Sequence, residues 1–492
     1  MPERRCAHTS IRGGRWAVVG ALILLLPVGP RPALAETGWI SQELTSADRI
    51  GLVLDAGSLR VGEAGTDNGA SLRKEQGARA VGLATFPEHR LDRATDTIDV
   101  RVGSAGDPED VLAEVRGVRV DGMWTEWHPA PERGGRVTLS DDVTRVQLRV
   151  GIDGADTAVT ELGVRLPEGT GDMPSAGLPD DLAPQNGPRP DGEGGGGGEG
   201  SGEDDDGDPP EGGAGQGDDI PERPFSARLF ATRIGLVGGT TANGHVIRPD
   251  DHFVALPSRR GLATRGGGEY TVRVCGTGEL GPEGKGDTEG HTPRCAYLPV
   301  WDVGPWNTTD DHWNADRQSW RDLDRGRPQA QAAYAQGHNG GLDGFGRRVR
   351  NPAGIDLADG AFNAGLQLPT NGWVQVDYLW TGEYRHRTEI GTATRRDPVV
   401  LRSGPGPEHS TVGLAAHKAN VDVICTVTGA SATGPQGTDD TWYRIGEDHY
   451  VPAVFADGGG DAPVCAEPTE PTEPVEPAEP TEPAEPAEPE GF

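Results

Sequence analysis

Two aspartates carry the clearest chemical potential in this 492-residue chain. Asp302 lies in Leu298-Pro299-Val300-Trp301-Asp302-Val303-Gly304-Pro305-Trp306, an apolar run that reads as a strand ending in a sharp turn. Asp356 lies in Ile355-Asp356-Leu357-Ala358-Asp359-Gly360-Ala361-Phe362, which reads as the opening of a short helix. A carboxyl held beside an apolar wall keeps its proton to higher pH, so it can act first as an acid and then as a base. Trp301 and Trp306 would supply such a wall. Two carboxylates could instead divide the acid and base roles, with their separation setting the stereochemistry. Asp302 and Asp356 are therefore the expected catalytic pair, and Trp301, Trp306, His312, Trp313 and Trp442 the expected ligand-binding residues. The plainer alternative is turn and N-cap chemistry for the aspartates and core packing for the tryptophans.

Other motifs point nowhere. His245, His252, His291 and His312 show no HExxH or comparably tight ligand spacing, so no metal is expected. Gly276 to Gly281 spells GxGxxG, but it falls between Cys275 and Cys295 with no helical pattern after it. No GxSxG elbow occurs, and no cofactor is implied.

The elements that must position Asp302 and Asp356 are strands. Tyr270-Thr271-Val272-Arg273-Val274-Cys275 and Trp373-Val374-Gln375-Val376-Asp377-Tyr378 flank them within a region spanning 224–392. Thr241-Ala242-Asn243-Gly244, then the Asp302 to Trp306 turn, then Ile355-Asp356-Leu357 follow in an order that resembles a six-stranded double-psi β-barrel. That barrel is shared by rare lipoprotein A, expansins and a murein transglycosylase group. The resemblance implies that Asp302 protonates a glycosidic oxygen and then takes the proton from the sugar's 6-hydroxyl, closing a 1,6-anhydro ring. Two departures stand out. Val303 occupies the place where the family has Arg, and an insertion over 307–354 carries Asp310, Asp311, His312, Trp313, Trp320 and a glycine-rich stretch. Such an insertion would form a lid or plug the groove.

On either side lie two further β-rich regions. In 36–167, Thr97 to Val102 and Val143 to Val150 alternate apolar with polar residues, the period of half-buried strands in a sandwich. Gly122-Met123-Trp124-Thr125-Glu126-Trp127 and the later Val146 strand resemble the N-terminal domain of some actinobacterial peptidoglycan-recognition amidases. One of Trp124 and Trp127 is expected in the core and the other at an edge, with sugar stacking as the alternative. In 393–465, Arg402-Ser403-Gly404-Pro405-Gly406 and Thr441-Trp442-Tyr443-Arg444-Ile445 closely resemble a bacterial SH3 domain, which implies a small barrel and binding of wall peptide or glycan.

Charge and cysteines supply the context. The formal net charge is −32, concentrated in two stretches. Residues 168–223 hold sixteen acids against two arginines, and 466–492 hold nine glutamates and no base. Neither can bury a core, so the first reads as a disordered Gly/Asp/Glu-rich linker and the second as an extended Glu-Pro repeat tail. No basic footprint for nucleic acid or anionic lipid is present. Arg4, Arg5, Arg12 and Arg15 precede an apolar run from Trp16 to Val28, followed by Ala33-Leu34-Ala35. This pattern predicts a signal peptide over 1–35, with no membrane insertion after cleavage. Cys275, Cys295, Cys425 and Cys465 then remain, and three pairings are possible. Local pairing, 275 with 295 and 425 with 465, is expected because each pair lies within one region.

The expected fold is mainly β: an N-terminal sandwich, a central double-psi barrel with long insertions and a C-terminal SH3-like barrel, joined by acidic linkers. The expected function is that of a secreted modular protein binding cell-wall polysaccharide or peptidoglycan peptide. Glycan cleavage through Asp302 is the alternative, and expansin-like loosening without bond breaking a third.

Overall fold

The computed structural model describes residues 38–62, 81–167, 223–286, 293–394 and 397–466. The expected signal peptide lies outside these residues, as do nearly all of the acidic linker and the Glu-Pro tail. The protein is mainly β, with barrel-like sheets and few helices.

The N-terminal region is built on four long strands: β1 (His89–Ala105), β2 (Val111–Val118), β3 (Gly134–Asp153) and β4 (Ala158–Arg165). The first half of β3 pairs with β1, whereas its second half pairs with β2 and with Val81–Thr85. The inward residues of its alternating pattern, Val143, Val146, Leu148 and Val150, are buried in one apolar cluster.

The central region holds β5 (Phe225–Arg233), β6 (Val254–Leu256), β7 (Thr271–Leu280), β8 (Cys295–Val303), β9 (Ala353–Leu357) and β10 (Gly372–Tyr378). They pair in the order β7-β10-β5-β9-β6-β8, and β8 returns to β7, so the sheet closes into a six-stranded barrel. The pairing is symmetric between the two halves of the segment. β5 runs parallel to β9 as β8 runs parallel to β6, and β5 is antiparallel to β10 as β8 is to β7. The Cys275–Cys295 disulfide joins directly opposed residues of β7 and β8. The insertion between β8 and β9 contains an α-helix, α1 (Gln329–Gln336), followed by a short 3-10 turn at His338–Gly341.

The C-terminal region contributes β11 (Val399–Arg402), β12 (Thr411–Ala415), β13 (Cys425–Gly434), β14 (Gly437–Gly446) and β15 (His449–Pro452). Arg387–Ile390 joins it in a small sheet with Asn420–Asp422 and Ala456–Gly458. The second disulfide, Cys425–Cys465, pins residues after this sheet back to the start of β13.

These regions pack against one another through built seams. At the first, Met123 and Trp127 of the N-terminal region enter the apolar cluster of the barrel. Glu126, between them, is buried and accepts hydrogen bonds from Trp313 Nε1 (2.5 Å), Trp380 Nε1 (2.8 Å) and Asn314 Nδ2 (2.7 Å). Arg260 Nε lies 3.0 Å from the same carboxylate. Arg116 bridges to Glu269 at 2.8 Å and packs over Trp124 and Trp127. Trp127 is fully buried, with Nε1 donating to the Leu262 carbonyl.

At the second seam, β12 adds in parallel to β8, pairing Gly413 with Cys295 and Leu414 with Ala296. Tyr297 of the barrel sends its hydroxyl to the Ile445 carbonyl and His449 Nδ1, both at 3.0 Å. The backbones come so close that only glycine fits. A Cβ on Gly413 would stand 1.7 Å from the Cys295 oxygen, and one on Gly268 would stand 1.5 Å from the Lys418 oxygen.

Glu126→Ala leaves the Trp313 and Trp380 indole N–H groups without their acceptor and takes one of two acidic partners from Asn314 and Arg260, which keep Asp311, so chemical denaturation should show a loss of about 3 kcal/mol. A loss below 1 kcal/mol would mean water satisfies these donors. Gly268→Ala should lower stability by about 2 kcal/mol and speed amide exchange along β8 and β12. Unchanged exchange there would contradict the tight approach.

Candidate functional site

Pairing register brings the expected catalytic aspartates together. Ala255 of β6 lies opposite Asp302 of β8 on one side and Asp356 of β9 on the other, and Asp356 in turn lies opposite Thr232 of β5. Cross-strand partners share a face, so Thr232, Asp356, Ala255 and Asp302 form one row across four strands. The neighbouring Val254, Leu256, Ile355 and Leu357 point the other way, into the apolar cluster. Asp356 therefore stands within a strand. The expected helix opening is corrected: the helical turn comes later, at Ala361–Gly365, because β9 must first complete its pairing with β5 and β6.

Each carboxyl is held. Asp302 Oδ1 accepts backbone N–H from Ala242 (2.8 Å) and Val303 (2.9 Å). Asp356 Oδ1 accepts from the Thr232 hydroxyl. Both aspartates are buried. Burial lifts the Asp356 carboxyl to about 7; the Thr232 hydrogen bond works against this, and the charge of Asp302 adds to it. The pair thus keeps a protonated acid beside a second carboxyl near neutral pH, the electrostatic requirement for acid–base chemistry.

Thr241-Ala242-Asn243-Gly244 forms the loop that reaches Asp302. Thr241 Oγ1 donates to Asn243 Oδ1 at 2.7 Å, and Asn243 Nδ2 donates to the Thr264 carbonyl at 3.2 Å, which tightens the turn. Gly244 adopts φ +86°, and a Cβ there would meet Ile50 of the N-terminal region at 2.8 Å. Beyond the loop, His245 Nε2 is 2.6 Å from Asp251 Oδ2, and its ring centroid lies 4.9 Å from that of Trp301.

The expected ligand-binding residues fare differently. Trp301 is buried between His245 and Phe253, with Nε1 donating to the Gly267 carbonyl at 2.7 Å. Trp442 is buried with Nε1 on the Ala430 carbonyl. His312 and Trp313 have no exposed surface: His312 Nε2 bonds the Tyr378 hydroxyl, and Trp313 stacks on Tyr378 and donates to Glu126. These four are packing residues, and a polymer cannot stack on them. Trp306 is half-buried, donating from Nε1 to Asn351 Oδ1. Acids of the insertion are engaged in ion pairs. Its Asp310 pairs with Arg317 and Asp311 with Arg260, while the groove aspartate Asp302 is reached by the Thr241–Gly244 loop.

Thr232, Ala255, His245 and Asp251 complete the site without having been singled out. A strand pattern gives the parity of Thr232 and Ala255, but only pairing across β5, β9, β6 and β8 shows that they stand in one row with the aspartates, and His245 and Asp251 lie outside the strands. Residues 225–377, which contain this whole row, match a family model described as a domain of unknown function (DUF8814). No curated protein matches the chain.

The sign of the pH response follows from Asp356. The unfolded carboxyl ionises near 3.8 and the folded one at about 7. Rising pH between these values removes the proton from the unfolded state first, so this group's contribution to stability falls across that window and levels off above it. Asp356→Asn should therefore gain on the native protein between pH 4 and 7.5, by up to roughly 4 kcal/mol. Buried His128, His312 and His449, held down to about 4, about 3 and about 4, act with the opposite sign in both proteins and cancel in the difference. Denaturant titrations at the two pH values measure it; an equal gap at both would show Asp356 ionised throughout.

Proposed function

We propose that the protein is exported and binds cell-envelope polymer, peptidoglycan glycan or peptide, with the row of Thr232, Asp356, Ala255 and Asp302 as the working face of its barrel. The observation that carries this reading is the convergence of the Thr241–Gly244 loop, Asp302 and Asp356 on one face of a closed barrel. These are the positions at which the resemblance to envelope-acting barrels places its motifs. The two disulfides fit an oxidising compartment. Among the described residues no helix is long and apolar enough to cross a membrane.

A second reading, glycan cleavage, is favoured by one specific feature. Asp356 holds its proton to about pH 7 beside the charge of Asp302, and an acid paired with a base is what glycosidic bond cleavage needs. Both carboxyls are buried, and the Thr241–Gly244 loop bonds Asp302 through the Ala242 N–H, so under either reading a ligand reaches the row only once that loop lifts.

Incubating purified sacculi with the protein and with Asp302→Asn separates the two. The binding reading expects both proteins to sediment with the sacculi and neither to release fragments. Anhydro-muropeptides released by the native protein and lost in the variant would establish cleavage instead. Failure of the native protein to sediment would remove both readings.

A further inference from the structure

Trp124 is the one member of the Trp124–Trp127 pair that keeps part of its surface open, and it lines a cleft at the seam between the N-terminal region and the barrel. The cleft has two lobes of about 280 and 490 Å³. They share Arg119, Asp141 and Thr381, so they form one elongated depression. Its floor is the Glu126 carboxylate with Arg260, and its walls carry Asn314, Arg325 and the exposed Asp141 and Asp142.

Most of these groups are held before any ligand arrives. Arg116 packs 4.1 Å from the Trp124 ring and fixes the indole. Arg119 donates to the Trp380 and Gly382 carbonyls and pairs with Asp121. Arg325 stacks on Phe225 and donates from Nε to the Trp313 carbonyl. Asn314 is shared between Glu126 and Asp311. A ligand would meet side chains whose ordering cost is already met, the condition under which a polar cleft binds well. Clefts between domains, with a few fixed polar groups around an apolar surface, are the usual places for such sites.

The chemistry selects a class of ligand. A pyranose ring presents an apolar C–H face and a rim of hydroxyls. An indole suits the first, whereas planar carboxylate, guanidinium and amide groups satisfy the second, often two hydroxyls at a time. Guanidinium and carboxylate groups of opposite sign lie side by side here, so a polyanion gains no net attraction. The elongated form suits a chain rather than a single sugar.

We propose that this cleft is a binding site for an uncharged glycan chain, with Trp124 as the stacking surface and Asp141 and Asp142 as hydroxyl acceptors. This rests on the reading of the protein as an envelope-polymer binder, and it places glycan contact at the seam, away from the Asp302 row.

The test uses the full chain, with the N-acetylglucosamine hexamer as soluble probe in calorimetric titration and sacculi in parallel. The native protein should bind the hexamer. Trp124→Ala, and separately the double variant Asp141→Ala/Asp142→Ala, should weaken it by about tenfold or more, whereas Trp124→Phe should retain most of it. The double variant guards against misfolding, because Asp141 accepts from the adjacent Ser140 hydroxyl and both acids are exposed. Native-like affinity in that variant, with the same melting temperature, would overturn the proposal. Sedimentation with sacculi and no hexamer binding would overturn it while leaving the envelope reading intact, and no binding to either would overturn both.

Discussion

At the seam between the N-terminal region and the barrel, the buried carboxylate of Glu126 gathers the most donors. Removing a carboxylate from water costs several kcal/mol unless its oxygens are satisfied, and here two indoles, an amide and a guanidinium converge on it. The donors come from three separate places: Arg260 before β7, Trp313 and Asn314 in the long insertion, and Trp380 after β10. The seam can therefore form only when the barrel is closed and the insertion folded against it. This explains why the insertion's aspartates, histidine and tryptophan are consumed internally. Asp311 pairs with Arg260 at this junction, Asp310 pairs with Arg317 inside the insertion, and His312 and Trp313 fill the space beside Tyr378.

The same docking shapes the barrel's working face. Once the N-terminal region is seated, Ile50 lies against Gly244, and Arg265 reaches Asp48 and the Arg49 carbonyl. The Thr241–Gly244 loop is thereby held over Asp302. Burial, more than any single neighbour, lifts the carboxyl of Asp356 in the same row to about 7. On another side of the seam, residues from both regions leave an open cleft lined by Trp124 and charged groups of both signs. The junction thus closes one polar site and creates another.

The C-terminal region follows a related logic with different means. Its docking relies on backbone, through parallel pairing of β12 with β8, and needs glycine at Gly268 and Gly413 because carbonyls approach where a Cβ would stand. With Tyr297 as the buried polar contact, the module adds to the barrel's own sheet.

Much of the local structure is legible in the chain without coordinates. Period-two runs such as Thr97 to Val102 and Val143 to Val150 announce strands, because alternation alone decides which side chains meet the core. Each cysteine pair lies within one region of the sequence, so the local pairings Cys275–Cys295 and Cys425–Cys465 were legible from order. The approach of Asp302 to Asp356 was legible only through the order of their motifs, since Asp356 reads in sequence as a helix opening and its place within a strand came from pairing. What the chain could not disclose is which aromatic residues face solvent. Trp301, Trp313, Trp442 and Trp127 look no different in sequence from Trp124, yet each of the four is buried with its N–H spent on a carbonyl or on Glu126. That choice depends on contacts more than a hundred residues apart, such as Glu126 with Trp313 and Trp380. No local pattern encodes it, and only closure of the barrel and docking of its neighbours could decide it.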